Sequence, residues 1–244
     1  MYLQDYVFFL AAMLAVALFA GWASRKVHTT FSAYADVPTS SRMTGYDAAV
    51  RLLRANEITD ISVGRVSGTL TDHYHPTKKV VNLSQSTYGD ASVGAVAVAA
   101  HEIGHVLQKK RGYLPYKIRT MLVPIANIGS RLALPLVLVG VVLDLFVIST
   151  QENTLGFTLA IAGVALYGLS TLFTLVTLPV EFDASRRAKR MLVEENVLTD
   201  EEVVGAEKVL NAAALTYVAA LATSLVYFLR FAVWVLTLFG RRRR

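Results

Sequence analysis

From Leu155 to Val180 the chain carries no charged residue, and no other feature limits its possible folds as much. A run of this length forms a helix that crosses a bilayer's hydrocarbon core with room for tilt. Inside lipid the backbone has no water to bond to, so a spanning segment of this kind must be helical. Val7–Ala23 is a second uncharged stretch, preceded by Asp5 and followed by Arg25 and Lys26. Positive charge after the span, not before it, reads as an uncleaved anchor and not as a signal peptide. A third apolar region, Met121–Ser149, is interrupted by Arg131, Pro124 and Pro135; its cleanest part is Leu132–Ile148, with Asp144 near the far end. The polar turn 149–154 joins it to Leu155–Val180 as a transmembrane hairpin. Asn211–Gly240 is apolar but contains Arg230, and Arg241–Arg244 follow. It reads either as a single crossing or as a bent, interfacial helix pair around Arg230.

Charge bias sets the expected orientation. Thirteen Lys and Arg lie between Ser24 and Thr120, and Arg186, Arg187, Lys189 and Arg190 follow the uncharged span; the 149–154 turn has none. The positive-inside rule then places both basic segments in the cytoplasm of a multi-pass protein of the cell (inner or plasma) membrane. The net charge of +6 gathers beside the apolar spans, which fits an anionic lipid surface better than nucleic acid. The resulting division is an anchor (1–24), a cytoplasmic α+β domain (25–120), a membrane hairpin (121–180), a cytoplasmic helical segment (181–210), and a C-terminal hydrophobic segment with its basic tail (211–244). The chain has no cysteine, so any metal ligands must be His, Asp or Glu.

The 25–120 segment has the patterns of a small mixed domain. Thr44 is an N-cap for an amphipathic helix that runs on through Ala55. Ile61–Val66 alternates as a strand does, Lys78–Ser84 reads as another, and Asp72–Pro76 lies in the connection between them. A helix follows from Ser92 to the Lys109-Lys110-Arg111-Gly112 terminus, whose cations suit the negative end of its dipole. A free strand edge just ahead of this helix could hold an extended peptide by main-chain pairing.

On that helix lies His101-Glu102-Ile103-Gly104-His105. Residues i and i+4 share a helix face, so both imidazoles can reach one ion with Glu102 beside them. This is the HExxH arrangement of zinc peptidases, in which the glutamate is the general base. Two histidines leave a third donor to be found. A third His six residues after the second is absent, since position 111 is Arg. Glu181 follows the uncharged span directly and, by the charge bias, lies on the same side as the histidines. It reads as the third ligand; the competing reading is a carboxylate stabilising a helix N-terminus after Pro179. Glu194, Glu195, Glu201 and Glu202 read as a solvated face.

Leu70-Thr71-Asp72-His73-Tyr74, Val98–His105 and Leu178–Ala188, with the order and length of the spans, resemble the YugP-like neutral zinc metallopeptidases of membranes. The similarity to the HtpX-like and CAAX-prenyl-type proteases of the gluzincin group is more distant. The resemblance implies a minigluzincin-like α+β zinc peptidase domain combined with transmembrane helices in a mostly α-helical integral membrane protein. It also implies Zn²⁺ on His101, His105 and Glu181, Glu102 as general base, and protein or peptide substrates. Gluzincins often carry an Asp one helical turn after the ligand Glu to hold a ligand His. Here that position is Ser185, a weaker polariser of the ring, and Asp183 is a substitute whose helical position faces elsewhere.

His73, Tyr74 and His75 are candidate donors to a transition-state oxyanion, although turn chemistry beside Pro76 explains them almost as well. Tyr88 and Tyr113 read as packing residues, and Arg131 and Arg230 as residues that snorkel. The leading function is a membrane-bound zinc endopeptidase. A zinc-binding membrane scaffold or regulator without proteolytic activity is the alternative, disfavoured because a structural site has no use for Glu102. A transporter would call for internal repeats or several charged intramembrane residues, whereas this sequence shows no repeat and only Arg131, Asp144 and Arg230 in its apolar regions.

Overall fold

A computed structural model describes residues 3–144 and 155–240; the expected 149–154 turn and the Arg241–Arg244 tail lie outside the described residues. The described residues are mostly helical, with a small sheet and four helices long and apolar enough to cross a membrane. In order, the elements are α1 (Leu3–Ala35), α2 (Gly45–Ala55), β1 (Ser62–Arg65), β2 (His73–His75), β3 (Val80–Leu83), α3 (Gln85–Tyr88), α4 (Val93–Lys110), α5 (Leu114–Val142), α6 (Leu155–Glu194) and α7 (Asp200–Gly240). They fall into two compact units, one of residues 22–117 with 179–217, the other of 1–21, 118–178 and 218–244.

The first unit holds the sheet and α4. Thr44 begins α2 with a reciprocal capping box: its side chain accepts from the Asp47 N–H, and the Asp47 carboxylate accepts from the Thr44 N–H at 3.0 Å. Ser92 caps α4, accepting from the Ala95 N–H at 3.2 Å, and Gly112 beyond its C-terminus takes φ +66°, a left-handed position that suits glycine. The strands lie in the order β1-β3-β2, with β1 parallel and β2 antiparallel to β3.

β2 is a difference from the sequence reading, which left Asp72–Pro76 as a connection. His73-Tyr74-His75 pairs across Asn82-Val81-Val80 and forms an edge. Three residues are too few to display alternation by themselves, and long-range pairing to β3 makes them a strand. Asp72 secures the entry to it, accepting from the Ser84 N–H at 2.7 Å and the Ser84 hydroxyl at 2.8 Å. The core gathers Leu52 and Leu53 of α2, Val81 and Leu83 of β3, Val96, Ile103 and Val106 of α4, and Leu192 of α6.

In the second unit helices approach through small residues. A Cβ on Gly129 would stand 2.5 Å from the Leu166 carbonyl oxygen, and one on Gly163 2.6 Å from that of Ala133. Pro124 and Pro135 lie inside an unbroken α5, and Pro179 lies inside α6, where the sequence suggested interruptions or an end. Proline costs a helix one hydrogen bond, but an apolar environment offers the backbone no better alternative. α7 runs unbroken through Arg230, so the bent pair does not form. The Arg230 guanidinium lies over the rings of Tyr6 and Phe9, each at 4.8 Å, beside the start of the apolar run of α1.

Candidate metal centre

Two helices of the first unit build the site. α4 supplies His101 and His105 one turn apart, their rings edge to face with centroids 4.7 Å apart. α6 supplies Glu181, 1% exposed. Its Oε2 stands 3.2 Å from His101 Nε2 and 3.5 Å from His105 Nε2. One ligand atom from each of the three residues falls within 4.8 Å of the others. Glycine 104 permits this approach, because a Cβ there would lie 2.5 Å from the carbonyl oxygen of Ala184 on α6. One of the two unspecified positions of the HExxH pattern is therefore fixed by packing in this chain.

Glu181 sits in the interior of α6 and not at a helix start, because Pro179 does not end the preceding span. The competing explanation, a carboxylate at a helix N-terminus, thus loses its geometric basis.

The outward nitrogens of both rings are engaged. His101 Nδ1 is 3.2 Å from the Ser185 hydroxyl. His105 Nδ1 is 3.0 Å from Gln108 Oε1. Gln108 is fully buried, and its Nε2 donates to the Val180 carbonyl at 2.7 Å and to Asp183 Oδ2 at 2.9 Å. Two acceptors on one side fix the amide's orientation, so Oε1 must face the ring. An oxygen there requires a proton on His105 Nδ1 and leaves the Nε2 lone pair directed at Glu181. Asp183 is held in turn by Arg187, whose Nε lies 2.6 Å away. Asp183 therefore does not replace Ser185 beside His101; it reaches His105 through Gln108. The sequence reading missed Gln108. Its signal was an uncharged amide three residues after His105, within one turn of it on the same helix.

Glu102 is 7% exposed and makes no hydrogen bond or ion pair among the described residues. Its charge, like that of Glu181, acts on His105. Burial works to lower the pKa of His105, but the hydrogen bond and charge of Glu181 outweigh it and leave the value raised. A pocket that draws a proton onto an imidazole is one that favours a cation.

The oxyanion candidates divide. His73 spends its ring nitrogens on β2's surroundings, with Nδ1 2.9 Å from the Thr71 carbonyl and Nε2 3.1 Å from Asn82 Nδ2. His75 Nδ1 accepts from the Lys78 N–H at 3.2 Å, as a turn residue would. Tyr74 packs against the core and lies in the field of Tyr116, whose ring centroid is 6.4 Å from that of His105. Burial first, then Tyr116 and Asp60, push its phenol up to about 12, so it stays a hydrogen-bond donor. Tyr88 packs on Tyr46 at 4.9 Å, and Tyr113 carries Arg187 over its ring at 5.6 Å.

A family model described as "Putative neutral zinc metallopeptidase" matches residues 8–236. The chain belongs to that family. A relative from Bacillus subtilis (strain 168), described as "Putative membrane protease YugP", is 41% identical over 212 residues, covering 87% of this chain and 89% of the relative. No solved structure matches the chain. Within a zinc metallopeptidase family, two imidazoles and one carboxylate are a donor set suited to Zn²⁺, and three protein ligands leave a coordination position for chemistry. The residues present thus fit the ion that the family name implies.

Proposed function

We propose that this protein is a membrane-bound zinc endopeptidase whose metal is held by His101 Nε2, His105 Nε2 and Glu181. The convergence of these donors within 4.8 Å carries the reading. Zn²⁺ bound there would supply Lewis acidity, polarising the scissile carbonyl and making an attacking water acidic enough to ionise near neutral pH. Glu102, next to His101 on α4 and unengaged by other described side chains, takes the proton of that water and later delivers it to the leaving amine. Ser185 and the Gln108–Asp183 pair hold the two rings in the tautomer that presents Nε2 to the metal. The Tyr74 hydroxyl donates to the developing oxyanion, and the free edge of β2 receives an extended peptide by main-chain pairing.

The catalytic unit is a minigluzincin-like α+β domain made of 25–120 with 181–210, a reading supported by the compactness of 22–117 with 179–217. The bias of Lys and Arg puts it at the cytoplasmic face of the cell membrane. α7 crosses the membrane, which is supported by its unbroken course and by Arg230 stacking beside the first residues of the α1 span. The substrates are proteins or peptides.

Glu102→Gln tests the assignment on purified protein by metal analysis and a protease assay. The variant is expected to keep its zinc and lose hydrolysis by roughly 10²–10⁴-fold. Hydrolysis equal to wild type would remove Glu102 as the base.

A further inference from the structure

A cavity of about 530 Å³ opens between the cytoplasmic end of α1 and the first third of α7, both within the first unit. Lys26, Lys208, Thr30 and Asn211 line it together with Ala212 and Leu215. Among the described residues no carboxylate lines it. Lys26 makes no ion pair among the described residues, and Lys208 Nζ is held 5.9 Å from the Tyr34 ring centroid, also in the lining. The neighbouring Glu207 is paired elsewhere, with Lys189 at 2.6 Å. Lys26 is three residues past the end of the uncharged Val7–Ala23 run, and Asn211 begins the apolar run of α7. The cavity therefore sits where two apolar helices give way to polar chain.

We propose that this cavity binds the headgroup of an anionic phospholipid from the cytoplasmic leaflet. This proposal rests on the reading of α1 and α7 as membrane spans and is independent of the peptidase chemistry. The phosphodiester lies between the two ammonium groups, Thr30 and Asn211 donate hydrogen bonds to its oxygens, and the acyl chains follow the outward apolar side chains of the spans. Charge complementarity selects the occupant: two cations without a carboxylate reject zwitterionic headgroups less well paired to them and favour a net anion. A bound lipid would tie α1 to α7 beside the domain that carries the metal centre.

The test uses full-length protein reconstituted in nanodiscs of phosphatidylcholine, with or without phosphatidylglycerol, and native mass spectrometry of the lipid retained on release. Wild type is expected to retain phosphatidylglycerol over phosphatidylcholine. Lys26→Ala with Lys208→Ala should weaken that retention on the order of tenfold or more. Arg65→Ala with Lys78→Ala, the same charge loss on exposed strand and turn positions, should not change it. Ala33→Trp, which fills the groove and keeps both lysines, should also abolish retention, and zinc content should stay at the wild-type level in every variant. Equal retention by wild type and the lysine pair variant, or no preference of wild type for the anionic lipid, would overturn the proposal. Displacement of the lipid by millimolar inorganic phosphate would do so too, by assigning the cavity to free anions.

Discussion

α4 and α5 are both helices rich in apolar residues, put to opposite uses. Fourteen residues of α4, including Ala95–Ala97, Ala99 and Ala100, are buried among protein side chains, and its small residues let neighbouring backbones close in. Along α5 the pattern is one-sided: Val137 is fully buried while Leu138 beside it is 47% exposed, and Leu132, Leu134 and Val142 are similarly open. Only 28% of the most apolar window of α5 is buried inside the protein, and 6% of that of α1. Apolar surface left open on this scale needs a solvent of its own kind, and a bilayer supplies it. Hydropathy and side-chain size both separate the two cases: α5 is apolar enough to cross a membrane, whereas α4 carries His, Glu, Gln and Lys among short apolar residues. Short side chains mark the helix that packs on protein, and long aliphatic ones mark the helix that faces lipid.

The widest gap between the two regions should appear on Leu138→Lys. In a bilayer the substitution should cost roughly 2.5–3.5 kcal/mol toward the span's centre, seen as failed membrane integration or a lowered melting temperature in nanodiscs. No measurable loss would mean that this face does not meet lipid. Gly104→Ala attacks the packed region instead. Its methyl would meet the Ala184 carbonyl at 2.5 Å, so the helices must separate. The expected cost is about 1–3 kcal/mol in a thermal melt, with reduced zinc occupancy. An unchanged melt and full occupancy would show that the α4–α6 approach is not tight. Gln108→Leu keeps the volume but strips His105 Nδ1, the Val180 carbonyl and Asp183 of their shared partner. Zinc affinity by chelator competition should fall about 10–100-fold. Wild-type affinity would show that the tautomer of His105 does not govern metal binding.

The sequence disclosed the centre better than the frame around it. His101 and His105 were legible as a pair because helical spacing is a local rule, and the structure brings Glu181 to within reach of both. Ser185 was legible as the residue one turn beyond Glu181, and the structure places its hydroxyl beside His101. Gln108 was not, since an amide on a helix usually faces water and only the fold of α6 gives this one two acceptors. β2 was hidden for a similar reason, as its pairing partner lies beyond a turn and its own pattern is three residues long. The prolines misled in the other direction. Rules for breaking helices come from water, and Pro124, Pro135 and Pro179 lie in helices long and apolar enough to cross a membrane.

The proposed centre requires a carboxylate from α6 and two imidazoles from α4 to share one ion. Zinc analysis of purified wild type beside Glu181→Ala measures that most directly. One zinc per wild-type chain, and loss of most of it in the variant with its helical content unchanged, is the expected result. Full zinc occupancy in Glu181→Ala would contradict it.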